Sequence, residues 1–195
     1  MSFVSVLANT EVITLVSDGR VSDQLGNSTQ ENYKKFKKIS DKQFIAFAGS
    51  KQPCEAIIEQ IDFSDNMYDL SQVSKEIYRA IKENEELKKF NLLFIVGGIN
   101  QYNEIEFYGI NANDHQLEQY KPSYETEFKY AFLHNGDDNV DLDIESKIVE
   151  LKQRHGTSSI NKLLRIQKDL NNYVAEHDPS VNKITHELKL RKTRT

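Results

Sequence analysis

"KKFKKISDKQFIAFAGS", residues 34–50, decides how the chain is read. Four lysines in five positions lead into an apolar run closed by Ala48-Gly49. "FKKIS" and "QFIAFAG" are short segments separated by the polar turn Ser40-Asp41-Lys42, the pattern of a β-hairpin. The lysines have two readings. They are either a solvated charged face ahead of a core strand, or one of them belongs to a catalytic site.

The same pattern lies upstream. "FVSVLA" (3–8) and "EVITLVS" (11–17) are rich in β-branched residues and flank the turn signal Asn9-Thr10. Residues 19–33 are polar, contain Gly and Asn, and read as a loop. Helical spacing then takes over. Cys54, Ile57, Ile58 and Ile61 form one stripe, and Val73, Ile77, Tyr78 and Ile81 form a second, with Ser71 as its expected N-cap. Strands return at "NLLFIVGG" (91–98) and "NEIEFYGIN" (103–111), and more weakly at "HQLEQY" (115–120) and "KYAFLHN" (129–135). A mixed helix is expected over 142–153. A clearer one carries Leu163, Leu164, Ile166, Leu170, Tyr173 and Val174 on one face. "NKITHELKL" (182–190) closes the series, with Ile184, His186, Leu188 and Leu190 on one strand face.

The order is four strands, two helices, about four strands, two helices and one strand. A doubly wound sheet alternates strands and helices singly, so these blocks argue against it. They predict an α+β fold, a four-layer αββα sandwich with two antiparallel sheets between helix pairs. The 195 residues fit a single domain, 1–195.

Composition narrows the function. Hydrophobic residues make up 38% and charged residues 28%, enough for a packed core. A net charge of −5 argues against a dedicated nucleic-acid binder, which favours a basic surface. A lone cysteine, Cys54, excludes an intrachain disulfide framework and fits a reducing compartment. The N-terminal stretch lacks the features of a signal peptide, and no window approaches the roughly 18 apolar residues of a membrane span. The expectation is a soluble cytoplasmic protein without membrane or nucleic-acid partners. The five histidines show no zinc spacing, and "GGINQYN" (97–103) has no GxGxxG. The acidic segment 136–147 lacks EF-hand spacing and reads as a helix N-terminus. No metal or cofactor is therefore expected. The basic end, "LKLRKTRT" (188–195), reads as a solvated tail, with docking to a neighbouring subunit as the alternative.

Two stretches carry a resemblance. "VITLVSDGRVSD" (12–23) resembles a strand ending in an Asp followed two residues later by Arg. "YKKFKKISDKQFIAFAGS" (33–50) resembles a lysine pair, strand, turn, strand and Ala-Gly segment, without a gap from Lys34 to Gly49. Both are similar to the proteasome β-type family of N-terminal nucleophile hydrolases, which includes the bacterial ring protease of the two-component, ATP-dependent type. "YAFLHNGDDNV" (130–140) is a weaker match to the family's strand before a Gly-Ser-Gly turn.

The resemblance implies roles. Asp18 stands for the carboxylate beside the nucleophile, Arg20 for the residue bracing that loop, and Lys35 for the active-site lysine. Gly49 stands for the oxyanion donor, and Lys34, Lys37 and Lys38 for solvated positions. The family's spacing puts Ser2 at the nucleophile position once Met1 is removed. A second alignment, through "VSV" (4–6), puts Met1 there and needs one extra residue in the hairpin; a one-residue slip reverses every side chain. The family nucleophile is usually Thr, and Phe3 stands where a second Thr is common. The serine of the Gly-Ser-Gly turn is absent, with His134 or Asn135 nearest. Asp178 follows the last long helix, where the family also places an Asp. A structural role for His134 and a helix-terminating role for Asp178 are the plainer readings.

The chemistry of such a site is general. A hydroxyl attacks only when a base removes its proton. A free α-amine, with an ordinary pKa near 8, is partly neutral at cellular pH and can act as that base. A nearby ammonium lowers the amine pKa further, and a carboxylate keeps that ammonium from being buried alone. The expected activity is hydrolysis of peptide bonds in a ring or double ring, with an ATPase unfoldase as a possible partner. A non-catalytic structural subunit of such an assembly and a small-molecule amidase are the alternatives.

Overall fold

The computed structural model describes residues 2–22, 27–111, 114–125, 127–135 and 142–193. The first hairpin is β1 (Ser2–Ala8) and β2 (Val12–Asp18), with Val4 opposite Ser17. Asn9 makes the turn: its side-chain oxygen accepts the backbone N–H of Glu11 and Val12, each at 2.9 Å. Both strands are buried along their whole length because both faces of their sheet are covered. Within 19–33, of which 23–26 lie outside the described residues, the described part departs from the loop expectation. It contains a small ribbon, β3 (Val21–Ser22) and β4 (Ser28–Gln30), with the Thr29 hydroxyl donating to the Val21 carbonyl at 3.1 Å. The polar side chains that suggested a loop are here those of a ribbon at the surface, with β4 exposed and β3 half-buried.

The second hairpin, β5 (Phe36–Ser40) and β6 (Gln43–Gly49), runs directly into α1 (Lys51–Glu59). Next comes α2 (Leu70–Glu83), whose N-cap is Asp69 rather than Ser71. The Asp69 carboxylate accepts the Gln72 N–H at 3.0 Å, so the helix starts before the expected cap. A short 3-10 helix, Leu87–Lys89, precedes β7 (Leu92–Ile99), β8 (Ile105–Asn111), β9 (Gln116–Tyr120) and β10 (Lys129–Asn135). The chain continues through α3 (Ile144–His155), α4 (Ile160–His177) and β11 (Thr185–Arg191).

The strands form antiparallel sheets ordered β10-β1-β2-β11 and β5-β6-β7-β8-β9, besides the β3–β4 ribbon. Val4, Val6 and Leu15 of one sheet meet Phe44, Ile95 and Phe107 of the other in the central core. On the outer face of the five-stranded sheet, Ile45, Phe94 and Val96 pack on Cys54, Ile58 and Ile77 of α1 and α2. On the other outer face, Phe3 and Leu7 pack on Ile148, Leu163 and Val174 of α3 and α4. The result is a four-layer αββα sandwich.

Two charged regions differ from expectation. Lys37 is half-buried rather than solvated: its Nζ donates to the carbonyls of Ile58 and Ile61, at 3.3 and 2.7 Å, where α1 ends. The basic end of the chain is part of the sheet through Arg191, and the Lys192 N–H bonds the Glu11 carbonyl at 3.1 Å. The acidic segment falls partly outside the described residues, at 136–141. Within it, Asp143 caps α3 by accepting the Ser146 N–H at 2.9 Å. Among the described residues, no helix is long and apolar enough to cross a membrane.

Phe94 is fully buried between its sheet and the first helix pair. Phe94→Ala is predicted to lower unfolding free energy by about 3–5 kcal/mol, read from the urea midpoint with an unchanged slope.

Candidate active site

β1 lies between β10 and β2, so its first residue has a strand end on each side. Ser2 pairs with Asn135 on one side, and on the other the Phe3 N–H reaches back to Asp18. The alternation of β1 turns Val4 and Val6 to the central core and Phe3 and Leu7 to the helices. Ser2 shares the Val4 side and lines a cleft at the open end of the sandwich. Met1 lies outside the described residues, so the alternative alignment, which puts it at this position, does too.

Asp18 closes β2 and is fully buried. Its Oδ1 accepts the Phe3 N–H at 2.7 Å and the Lys35 ammonium at 2.5 Å; its Oδ2 accepts the Arg20 N–H at 2.8 Å. Lys35 precedes β5 and is 1% exposed. The Phe47 N–H bonds the Lys35 carbonyl at 3.0 Å, which pins its backbone against β6. Burial pushes the Lys35 ammonium below the ordinary lysine pKa, while the charge and hydrogen bond of Asp18 pull the other way.

Gly49 ends β6 with φ +109°. A Cβ there would lie 2.0 Å from the Asn91 carbonyl oxygen, so only glycine fits where the chain swings from β6 toward α1. The cleft of about 530 Å³ brings Ser2, Lys35 and Gly49 together with Tyr33, Phe47 and Asn135. Lys51 on its wall sits 4.2 Å above the Tyr33 ring, and the Tyr33 hydroxyl donates to Glu55.

The supporting positions occupy other places. Beyond its backbone contact with Asp18, Arg20 pairs through Nε with Glu31 at 3.1 Å and through Nη1 with the Pro179 carbonyl. His134 stands opposite Phe3, on the helix side of β1 rather than in the cleft. Its Nε2 is 2.8 Å from Asp178 Oδ2, and the Ser180 N–H and hydroxyl take Asp178 Oδ1 at 2.8 and 2.5 Å. Burial raises the Asp178 pKa, but the His134 and Ser180 hydrogen bonds outweigh it and hold the carboxyl below its ordinary 3.8. Thus Ser2, Lys35 and Gly49 share the cleft, Asp18 lies beneath it, and His134 and Asp178 pair behind β1.

Sequence reasoning missed three residues near the site. Asn182 accepts the Gly19 N–H at 2.9 Å; a bond across that many residues leaves no local spacing signal. His186 lies opposite Ser17, and burial with the Lys34 and Lys35 charges lowers its pKa while Asp18 opposes them. Tyr33 stands directly before the lysine run and belongs to no motif that would mark it. Among the described residues, no group of three or more His, Cys, Asp or Glu is placed to hold a metal ion.

Comparison with solved structures gives the architecture its name. Eukaryotic HslV from Trypanosoma brucei superimposes with a TM-score of 0.72 over 97% of this chain and 99% of that one, at 15% identity. This is the proteasome-like N-terminal nucleophile hydrolase fold. A Gly-1 mutant of Anbu from Hyphomicrobium sp. strain MC1 shares the fold, with a TM-score of 0.69 over 98% of this chain and 82% of that one, at 14% identity. In sequence, the chain is 29% identical over 69 residues to proteasome subunit beta type-3 of Caenorhabditis elegans, a match spanning 35% of this chain and 33% of that subunit. No family model matches the chain.

The two buried carboxylates, Asp18 and Asp178, each lead to an expected outcome. Lys35→Met leaves a carboxylate buried without its cation and is predicted to lower stability by about 3–5 kcal/mol in urea unfolding. A depressed carboxyl contributes stability above its ordinary pKa of 3.8 and loses it as pH falls through the lower folded value. Asp178→Asn is therefore predicted to flatten the fall in melting temperature below about pH 4, relative to the parent.

Proposed function

We propose that this chain hydrolyses amide bonds of peptides with Ser2 as an N-terminal nucleophile, once Met1 has been removed. The observation that carries this reading is the convergence of Ser2, Lys35 and Gly49 on one cleft, with Lys35 buried against an Asp18 that also holds the backbone of residue 3.

In this mechanism the freed α-amine of Ser2 takes the proton from its own hydroxyl as Oγ attacks the substrate carbonyl. The Lys35 ammonium lowers the amine pKa and favours developing negative charge on Oγ, while Asp18 neutralises Lys35. The Gly49 N–H receives the oxyanion, a contribution of roughly 3–4 kcal/mol for one donor. Collapse of the tetrahedral adduct breaks the C–N bond, and the leaving amine takes the proton. Water then hydrolyses the Ser2 ester, with the α-amine again as base. The cleft wall, with Tyr33, Phe47 and Lys51, receives the side chain beside the scissile bond.

A soluble, cytoplasmic ring or double ring fits the proteasome-like fold, with an ATPase unfoldase delivering unfolded peptide. A second reading, a non-catalytic structural subunit, is favoured by one observation. Both oxygens of Asp178 are taken by His134 and Ser180, behind β1 and away from the cleft.

The test is a panel of fluorogenic peptide amides beside acylated amino acids, with size-exclusion light scattering for the assembly. Peptide cleavage that is lost by at least about 100-fold in Ser2→Ala supports the reading. Cleavage of acylated amino acids alone points to a small-molecule amidase. Equal rates for parent and Ser2→Ala contradict the Ser2 mechanism.

A further inference from the structure

The turn after α4 touches β10 and the residues that directly follow β2, the two strands that flank β1. Its first residue, Asp178, holds His134 on β10. The next carbonyl, of Pro179, accepts from Arg20. Asn182, 7% exposed, closes the turn. Its Oδ1 accepts the Gly19 N–H at 2.9 Å, just after β2 ends. Its Nδ2 donates to the Glu31 carbonyl at 2.9 Å and the Glu31 carboxylate at 2.7 Å. The turn is fastened to α4, because the buried Asn171 amide donates to the Asn182 carbonyl at 2.8 Å. In the order β10-β1-β2, Ser2 sits between β10, which this turn grips directly, and β2, which it grips through the residues that follow it.

We propose that Asn182 is a positioning residue for the Ser2 site. It fixes Gly19, and through it the Asp18 carboxylate that receives Lys35 and the Phe3 N–H, relative to the β10 side held by Asp178. The proposal rests on the hydrolase reading above. An amide is suited to this place because it accepts from Gly19 and donates to Glu31 at once. Glu31 is a firm anchor: hydrogen bonds from Ser28, Asn182 and Arg20 hold its carboxyl at about 2, so it is ionised at working pH. The charged groups facing Asn182 are Glu31 and, through it, Arg20; the neighbouring Lys183 pairs instead with Glu176 at 2.8 Å. A carboxylate at position 182 would keep the Gly19 bond and set two negative charges against each other.

Asn182→Ala, Asn182→Asp, Glu31→Gln and the double variant Asn182→Asp/Glu31→Gln are assayed on a fluorogenic peptide amide across pH, each as a ratio to the parent. Amide exchange at Gly19 is followed by NMR. The expected result is a fall in kcat of about tenfold or more in Asn182→Asp at neutral pH with KM near the parental value. That deficit shrinks as pH falls and the introduced carboxyl protonates, and it is largely removed in the double variant. Gly19 exchange quickens in Asn182→Ala; if that variant does not fold, the Asp and double variants carry the test. Parental kcat in the single variants at position 182, or a loss indifferent to pH and to Glu31→Gln, overturns the proposal. If the parent cleaves no amide, the hydrolase reading fails and this positioning role with it. Gly19 exchange then still decides the clamp, which unchanged protection in Asn182→Ala removes.

Discussion

The buried pairing of the Lys35 ammonium with the Asp18 carboxylate is the constraint around which the open end of the sandwich is organised. Asp18 belongs to the sheet that carries Ser2, while Lys35 leads into the first strand of the other sheet. Their 2.5 Å contact therefore joins the two layers where the central apolar core gives out. Two buried ions lose hydration, and their attraction offsets that loss only when the remaining hydrogen-bonding capacity is used. Here the backbone N–H groups of residues 3 and 20 complete the carboxylate. The first fixes the start of β1, and the second fixes the entry to the β3–β4 ribbon.

The rest of the site follows from strand ends. β1, β2, β6 and β10 all present a terminal residue at one end of the sandwich: Ser2, Asp18, Gly49 and Asn135. A packed double sheet is stiff, since its interior transmits displacement rather than absorbing it. Groups placed on its rim hold their spacing without a lid. Behind β1, the His134–Asp178–Ser180 cluster and the turn that continues to Asn182 tie the flanking strands to the helix layer.

Much of this architecture is legible in the sequence because hairpins and amphipathic helices leave local periodicities. The β5–β6 hairpin and the α4 stripe are examples: each needs only its own residues to be recognised. The strands of the first hairpin were found by β-branched content and the Asn9-Thr10 turn, since burial on both faces erases alternation. Polarity misled at 21–22 and 28–30, where a ribbon at the surface has the composition of a loop, and at Lys37, whose ammonium is occupied by carbonyls at the end of α1. Ser71 is the cap expected from sequence; that Asp69 fills the position instead follows from backbone geometry that composition does not carry. Asn182 is the extreme case. Its bond to Gly19 crosses nearly the whole chain, so only the folded structure reveals it.

The central claim is that one residue supplies both hydroxyl and amine at the Asp18–Lys35 pair. Incubation with a β-lactone, followed by intact and tandem mass spectrometry, reads this directly. The account predicts a chain that begins at Ser2 and carries a single acyl group on that residue. A chain that retains Met1 and stays unmodified, or an adduct on any other side chain, would contradict it.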